Sequence, residues 1–137
     1  MKNSIKCTHV SEMNFEAEVN GFKISLDADP STGGQNKGPR PKPLILVALA
    51  GCTAMDVISI LNKMKYPPEY FNVNVEADLT EEHPKTYNNI KIIYEFKYQE
   101  PDEEKVKKAI ELSLNKYCGV NALLSKATNT SYEIIFL

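Results

Sequence analysis

Apolar and polar residues alternate in several short stretches of the chain, a pattern that predicts strands with one buried face. Residues 15–19 alternate before Asn20-Gly21, and residues 22–26 alternate after it. Because both central residues of a type I′ turn need positive φ, this Asn-Gly step predicts a hairpin. A strand through Ile5 to Val10 is expected before it. Further strands are expected in FNVNVEADL, NIKIIYEFKY and the terminal SYEIIFL.

The most apolar part of the chain, LILVALAGCTAMDVISIL, shows no alternation. Pro43 precedes it, as suits the first turn of a helix, and Pro67-Pro68 stops it. We therefore predict a long helix from Leu44 to about Lys65. Its length also matches a membrane span, but polar residues interrupt it and no second such segment exists. A buried helix at the centre of a domain is the simpler interpretation, so no membrane association is expected.

The helices and strands together indicate the fold class. PDEEKVKKAIELSLNKY has an acidic first turn and an apolar stripe, which predicts an amphipathic helix, and CGVNALLSKA predicts a short helix starting near Cys118. The order of elements predicts an α+β fold, with mainly antiparallel sheets around a long buried central helix and a single domain over residues 1–137. A helix that is apolar all round needs cover on both faces, so we predict a homodimer.

Composition excludes several classes of function. The net charge is −2, so no basic field would hold a nucleic acid. MKNSIKCTHV has no apolar signal core, which predicts a cytoplasmic protein. The three cysteines are an odd number and argue against a disulfide framework. The two histidines do not stand at zinc-ligand spacing with them, so no metal site is expected.

Two cysteines stand in chemically distinctive places. Cys52 lies within the apolar helix, where a structural role is the default because burial and the charge of Asp56, four residues later, disfavour a thiolate. Cys118 stands at a predicted helix start, where the helix dipole favours a thiolate. If the short helix docks on the long one, the two thiols could meet and run a peroxide cycle through a sulfenic acid and a disulfide. A thiol in apolar surroundings needs a nearby cation to become a thiolate near neutral pH. The candidate is Arg40, the single arginine of the chain, with Lys42 behind it.

These residues carry a family resemblance. PRPKPLILVALAGCTAMDV resembles the first cysteine motif of the OsmC/Ohr family (osmotically inducible protein C and organic hydroperoxide resistance protein), a proline-led, leucine-rich helix that reaches a small-Gly-Cys-Thr/Ser step. KYCGVNALLSKA resembles the second motif, and His83-Pro84 is similar to the HP step between them. The GPRP lead-in is most similar to the YhfA-like branch.

The resemblance implies an intertwined homodimer with two sites at the subunit interface, and a role in oxidative stress. It implies that Cys52 attacks organic hydroperoxides and Cys118 resolves the product, with no bound cofactor and an external dithiol such as a lipoyl group as reductant. This chain also departs from the family pattern. The usual lead-in glutamate is replaced by Pro43, and Arg40 lies in the lead-in instead of the N-terminal strand region. The usual activating network is therefore absent or rebuilt.

Two functions follow as hypotheses. The first is a thiol-dependent peroxidase for organic hydroperoxides, in which Arg40 activates Cys52 and Cys118 resolves the sulfenic acid. The alternative is a non-catalytic dimeric protein of the same fold, which senses redox state or binds a small apolar ligand. The absence of the glutamate favours this alternative.

Overall fold

The computed structural model describes residues 1–137 and divides them into two compact units, residues 1–45 and residues 46–137. The α+β class, with mainly antiparallel sheets and a long central helix, is confirmed. The single domain over 1–137 stays a prediction.

The first unit is a three-stranded antiparallel sheet followed by a long loop. Its strands, in the order β1-β2-β3, are β1 (Lys6–Ser11), β2 (Asn14–Val19) and β3 (Phe22–Leu26). The turn between β2 and β3 has positive φ at Asn20 (52°) and at Gly21 (82°). The predicted hairpin is therefore confirmed, for the backbone reason that the Asn-Gly step indicated.

The loop after β3 is organised around the buried carboxylate of Asp27. That carboxylate accepts backbone N–H groups from Ala28 at 2.7 Å and from Lys37 at 3.1 Å. Burial of Asp27 opposes its ionisation, but these donors outweigh it and lower the pKa of the carboxyl. A Cβ at Gly34 would lie 1.9 Å from the carbonyl oxygen of Ala28, so the loop needs a glycine there.

The second unit packs three helices against a second three-stranded sheet. Strands β4 and β5 pair antiparallel, and β6 pairs parallel to β5. A π-helical turn, Ser113–Tyr117, joins the second and third helices. The elements are α1 (Leu44–Lys63), β4 (Tyr70–Leu79), β5 (Tyr87–Lys97), α2 (Glu103–Leu112), α3 (Gly119–Leu124) and β6 (Thr130–Phe136).

The long helix α1 buries one face only. Residues four apart along it, Leu49, Thr53, Val57 and Leu61, have no exposed surface and belong to the core of the second unit. Elsewhere on the helix Met55 is 73% exposed, and Val47 and Ile45 are also exposed. The sequence predicted a helix that is covered on both faces, and in the single chain only one face of α1 is buried.

Helix α1 is also the one helix long and apolar enough to cross a membrane by length and composition. The core helix of a soluble protein can have the same length and apolar composition. The absence of membrane association therefore stays a prediction.

Candidate functional site

Cys52 lies on α1, one helical turn before Asp56, so both side chains project from the same side of the helix. Cys52 is half-buried and free, whereas the neighbouring Thr53 is completely buried. The thiol therefore stands at the border between the core and the half-buried flank of α1.

Cys118 is placed by the π-helical turn at the end of α2. Its backbone N–H donates to the carbonyl oxygen of Ser113 at 2.7 Å, five residues earlier, which closes the wide turn. Its side chain caps α3, because its Sγ accepts the backbone N–H of Asn121 at 3.4 Å. Cys118 is 2% exposed. We predicted an α-helix through Tyr117, but Ser113–Tyr117 form a π turn. The hydrogen bond across this turn holds Cys118 close to Ser113.

The fold brings the two predicted thiols together. The Sγ atoms of Cys52 and Cys118 and a carboxylate oxygen of Asp56 all lie within 4.8 Å of one another. The sequence left this meeting of Cys52 and Cys118 conditional on how the helices dock, and the structure shows the two thiols close together.

The environment of Cys118 favours the protonated thiol. Burial raises the pKa of Cys118 to about 11, and contact with Cys52 and the nearby Asp56 acts in the same direction. The N–H of Asn121 opposes this rise without cancelling it. The expectation that the helix start would make Cys118 a thiolate is therefore wrong, because desolvation outweighs the effect of one short helix.

A chain of buried hydroxyl groups leads to Asp56. Ser113 Oγ donates to Asp56 Oδ2 at 2.9 Å, and it lies 2.8 Å from Thr53 Oγ1, which in turn lies 2.7 Å from Tyr94 Oη. A carboxylate only accepts, so the proton of Ser113 is committed to Asp56 and Thr53 must donate to Ser113. Tyr94 then donates to Thr53. Burial raises the pKa of Tyr94, which keeps the phenol protonated for this role.

This hydroxyl chain was not predicted from the sequence. Its only signals were a threonine and a serine at core positions of otherwise apolar faces, and such residues often bond within their own helix. Thr53 and Ser113 are 60 residues apart, so their contact depends on tertiary packing.

A cavity of about 380 Å³ reaches Asp56 from the flank of α1. Its wall combines three apolar side chains with four that carry a polar group. The lining residues are Asp56, Ser59, Ile60, Lys63, Met64, Leu112 and Tyr117. A small molecule with an apolar body could therefore approach the carboxylate through this cavity.

Arg40 lies in the loop of the first unit, and its guanidinium is occupied there. It donates to the carbonyl of Gly38 at 3.0 Å and to Asn36 Oδ1 at 2.7 Å, and it lies 3.7 Å from Asp29 Oδ2. Lys42 is exposed. Activation of Cys52 by Arg40 stays a prediction, and it would require the guanidinium to exchange some of these partners.

Cys52, Asp56 and Cys118 also form a set that could hold a metal ion by ligand type and spacing. Two thiolates and one carboxylate are ligand types that zinc accepts. Sequence spacing did not suggest this set, because Cys118 lies far from the other two along the chain. The two thiols are also the groups that redox chemistry needs, and we assign them to that chemistry below.

Comparison with known proteins places this site in a family. The family model described as OsmC-like protein matches residues 34–133. Protein YhfA of Escherichia coli K12 is 31% identical over 119 residues, which cover 85% of this chain and 86% of that protein. The chain therefore belongs to the OsmC-like family, as its two cysteine motifs indicated.

Solved structures share the fold. A hypothetical protein from Aquifex aeolicus VF5 is 27% identical with a TM-score of 0.84, covering 100% of this chain and 98% of that one. A protein of Legionella pneumophila, named organic hydroperoxide resistance protein OsmC, has a TM-score of 0.70 at 14% identity. That match covers 98% of this chain and 97% of the Legionella chain, and at this identity it shows a common fold alone.

Proposed function

We propose that this protein reduces organic hydroperoxides with Cys52 and Cys118 as a redox pair. The observation that carries the proposal is that the two sulfurs and the Asp56 carboxylate lie within 4.8 Å of one another. A pair of thiols this close can pass from sulfenic acid to disulfide with small side-chain movements. The name of the Legionella relative, which shares the fold, supports organic hydroperoxides as the substrate class.

The two thiols have different roles because their surroundings differ. Cys52 is half-buried and can meet a substrate, so its sulfur attacks the terminal peroxide oxygen and becomes a sulfenic acid as the alcohol leaves. Cys118 is buried beside it and keeps its proton, so it waits as the resolving thiol. It displaces water from the sulfenic acid and forms the disulfide. An external dithiol such as a lipoyl group then reduces that disulfide and is itself oxidised.

The proposal includes a homodimer. The second face of α1 leaves Met55 and Val47 exposed, and the first sheet leaves Phe22 75% exposed. Apolar side chains this open are usual at subunit interfaces. A second copy would shield the flank of Cys52 from water and provide the cover that α1 lacks.

The test is consumption of cumene hydroperoxide with reduced lipoamide as electron donor. Wild type should turn over, Cys52→Ser should lose all activity, and Cys118→Ser should react once and stop at the sulfenic acid. Cys7→Ser is the matched control, because Cys7 is an exposed cysteine of β1 outside the pair. Mass spectrometry of treated wild type should show a Cys52–Cys118 disulfide.

Two outcomes would count against the proposal. If treated wild-type protein keeps three free thiols, the redox pair does not operate. If Cys7→Ser loses as much activity as Cys52→Ser, the reacting thiol has been misassigned.

A second function is favoured by a cavity in the first unit. This cavity of about 390 Å³ is mainly apolar and would suit a small apolar ligand. It is lined by Cys7, Met13, Phe15, Leu26, Asp27, Ala28 and Pro41. Native mass spectrometry of the purified protein would reveal a co-purified apolar molecule. Its presence, together with slow oxidation of Cys52 and no turnover, would indicate the non-catalytic alternative.

A further inference from the structure

Asp56 is held in place more firmly than a solvated surface carboxylate. Its Oδ2 accepts from Ser113, whose own oxygen accepts from Thr53, and the series ends at the buried hydroxyl of Tyr94. All three hydroxyl-bearing side chains are completely buried. Because each proton in the series points toward the carboxylate, Asp56 is oriented by core residues on three different elements.

The Asp56 carboxylate lies close to both thiols and also lines a cavity. It lies within 4.8 Å of both sulfurs, and it lines the cavity through which a substrate could arrive. Placing a negative charge beside a thiol that must ionise is unfavourable if that charge is only a bystander. A carboxylate fixed at that position is, however, well suited to carry a proton between the thiol and the substrate.

We propose that Asp56 is the proton-transfer residue of the cysteine site, accepting the proton of the Cys52 thiol and delivering it to the alkoxide that leaves the hydroperoxide. This inference rests on the proposed function and adds a residue to it. Ser113 and Thr53 act as positioning residues, because Ser113 bonds to the carboxylate, Thr53 bonds to Ser113, and neither touches the sulfur or the peroxide.

The step balances without a further reagent. Cys52 sulfur attacks the terminal oxygen of ROOH, the S–O bond forms and the O–O bond breaks. Sulfur is oxidised by two electrons, and the peroxide is reduced to RO⁻. The thiol proton passes to the Asp56 carboxylate and from there to RO⁻. The products are the Cys52 sulfenic acid and ROH, and Asp56 returns to its ionised state.

Of the groups around the two thiols, Asp56 is the best placed to carry the proton. From its own helix Cys52 faces it, and Lys63 lines the same cavity. From the π turn the neutral Ser113 faces it and Tyr117 lines the cavity, and Cys118 faces it from the cap of α3. Tyr94 of β5 reaches it through the hydroxyl series. Among these groups Asp56 is the one carboxyl, and it lies both within 4.8 Å of the two sulfurs and in the cavity wall.

The experiment compares two reactions of Cys52 in Asp56→Asn, whose side chain has the same shape. Alkylation by iodoacetamide needs only a thiolate, so it should be as fast as in wild type or faster once the negative charge is gone. Oxidation by tert-butyl hydroperoxide in a single turnover needs a proton for the alkoxide, so it should be slower by on the order of 10²-fold. Asp78→Asn is the control, because Asp78 is exposed on β4 and should change neither rate.

The leaving group provides an independent readout. A peracid releases a carboxylate, which needs no proton to depart, so Asp56→Asn should oxidise with peracetic acid at nearly the wild-type rate. Asp56→Ala keeps the test open if the asparagine variant does not fold. Added formate should restore part of its lost rate with tert-butyl hydroperoxide, whereas chloride should not.

Each outcome decides between the two proposals. Equal oxidation rates in wild type and Asp56→Asn, or equal losses with the alkyl hydroperoxide and the peracid, would overturn the role of Asp56 and leave the peroxidase intact. Loss of both alkylation and oxidation would also overturn that role, because the variant would then lack the reactive thiol itself and not proton delivery to the alkoxide. If wild-type Cys52 is oxidised no faster than Cys7, both the peroxidase and the proton transfer are refuted.

Discussion

The series of hydroxyl groups beneath the thiols makes a graded prediction for stability. Tyr94, Thr53 and Ser113 are all completely buried. Tyr94 only donates, to Thr53, whereas Thr53 accepts from Tyr94 and donates to Ser113. Ser113 accepts from Thr53 and donates to the Asp56 carboxylate. We therefore expect the free energy of unfolding to fall least for Tyr94→Phe, more for Thr53→Val and most for Ser113→Ala.

The magnitudes follow from the bonds that each change removes. Tyr94→Phe removes one neutral hydrogen bond of 2.7 Å and should cost about 1 kcal/mol. Thr53→Val keeps the shape but leaves the hydroxyl of Tyr94 without an acceptor, so we expect about 2 kcal/mol. Ser113→Ala removes a bond to a carboxylate, worth about 1.5–3 kcal/mol, and leaves Thr53 without its acceptor, so we expect about 3 kcal/mol or more.

The assay is urea denaturation of each variant at neutral pH under reducing conditions, with a double-mutant cycle for Tyr94→Phe and Thr53→Val. Because these two changes remove the same hydrogen bond, the double variant should lose less than the sum of the single losses. Additive losses, or a Tyr94→Phe cost equal to that of Ser113→Ala, would show that the groups do not act as a directed series.

Three other predictions follow from single residues. The pKa of Cys118 is about 11 in the fold, against 9.0 ordinarily, so its contribution to stability is present below about pH 9 and is lost toward about pH 11. Wild type should lose about 2–3 kcal/mol more over that range than Cys118→Ala in denaturation experiments, and parallel losses would contradict this. If Arg40 activates Cys52, Arg40→Ala should slow alkylation of that thiol about tenfold at neutral pH while Lys42→Ala does not, because removing the cation leaves less thiolate to react. An unchanged rate would remove Arg40 as the activating cation. Met55→Glu places a charge on the exposed face of α1 and should give monomers in light scattering, whereas a persistent dimer would place the interface elsewhere.

Much of the fold could be predicted because its signals are local. The Asn20-Gly21 turn needs backbone angles that these two residues adopt readily, and the structure has them. The start of α1 at Leu44 follows from Pro43, and its end at Lys63 comes just before the proline pair. The family could also be predicted, because both cysteine motifs are short continuous stretches that resemble those of the family.

The chemistry of the site depended on what packs together. Helix-start arguments favoured Cys118 as the thiolate, but burial beside Cys52 and Asp56 reverses that expectation. Asp56 looked like an added charge near a thiol, whereas the structure shows it bound by Ser113, 57 residues later in the chain. The π turn that presents Ser113 and Cys118 has no marker in the sequence, because an α-helix accommodates the same residues.

The amino-acid sequence by itself determined most of the helices, the strands and the Asn-Gly hairpin, because each depends on neighbouring residues and on short periodic patterns. It also indicated the family, because two short cysteine motifs resemble those of its members. Only the tertiary structure decided that Cys52 meets Cys118, that one face of α1 stays open in a single chain, and that Tyr94, Thr53 and Ser113 orient Asp56. The physical reason is that desolvation and hydrogen-bond direction are properties of groups brought together across some 60 residues. The chemistry of a thiol follows those surroundings more closely than its position in a helix.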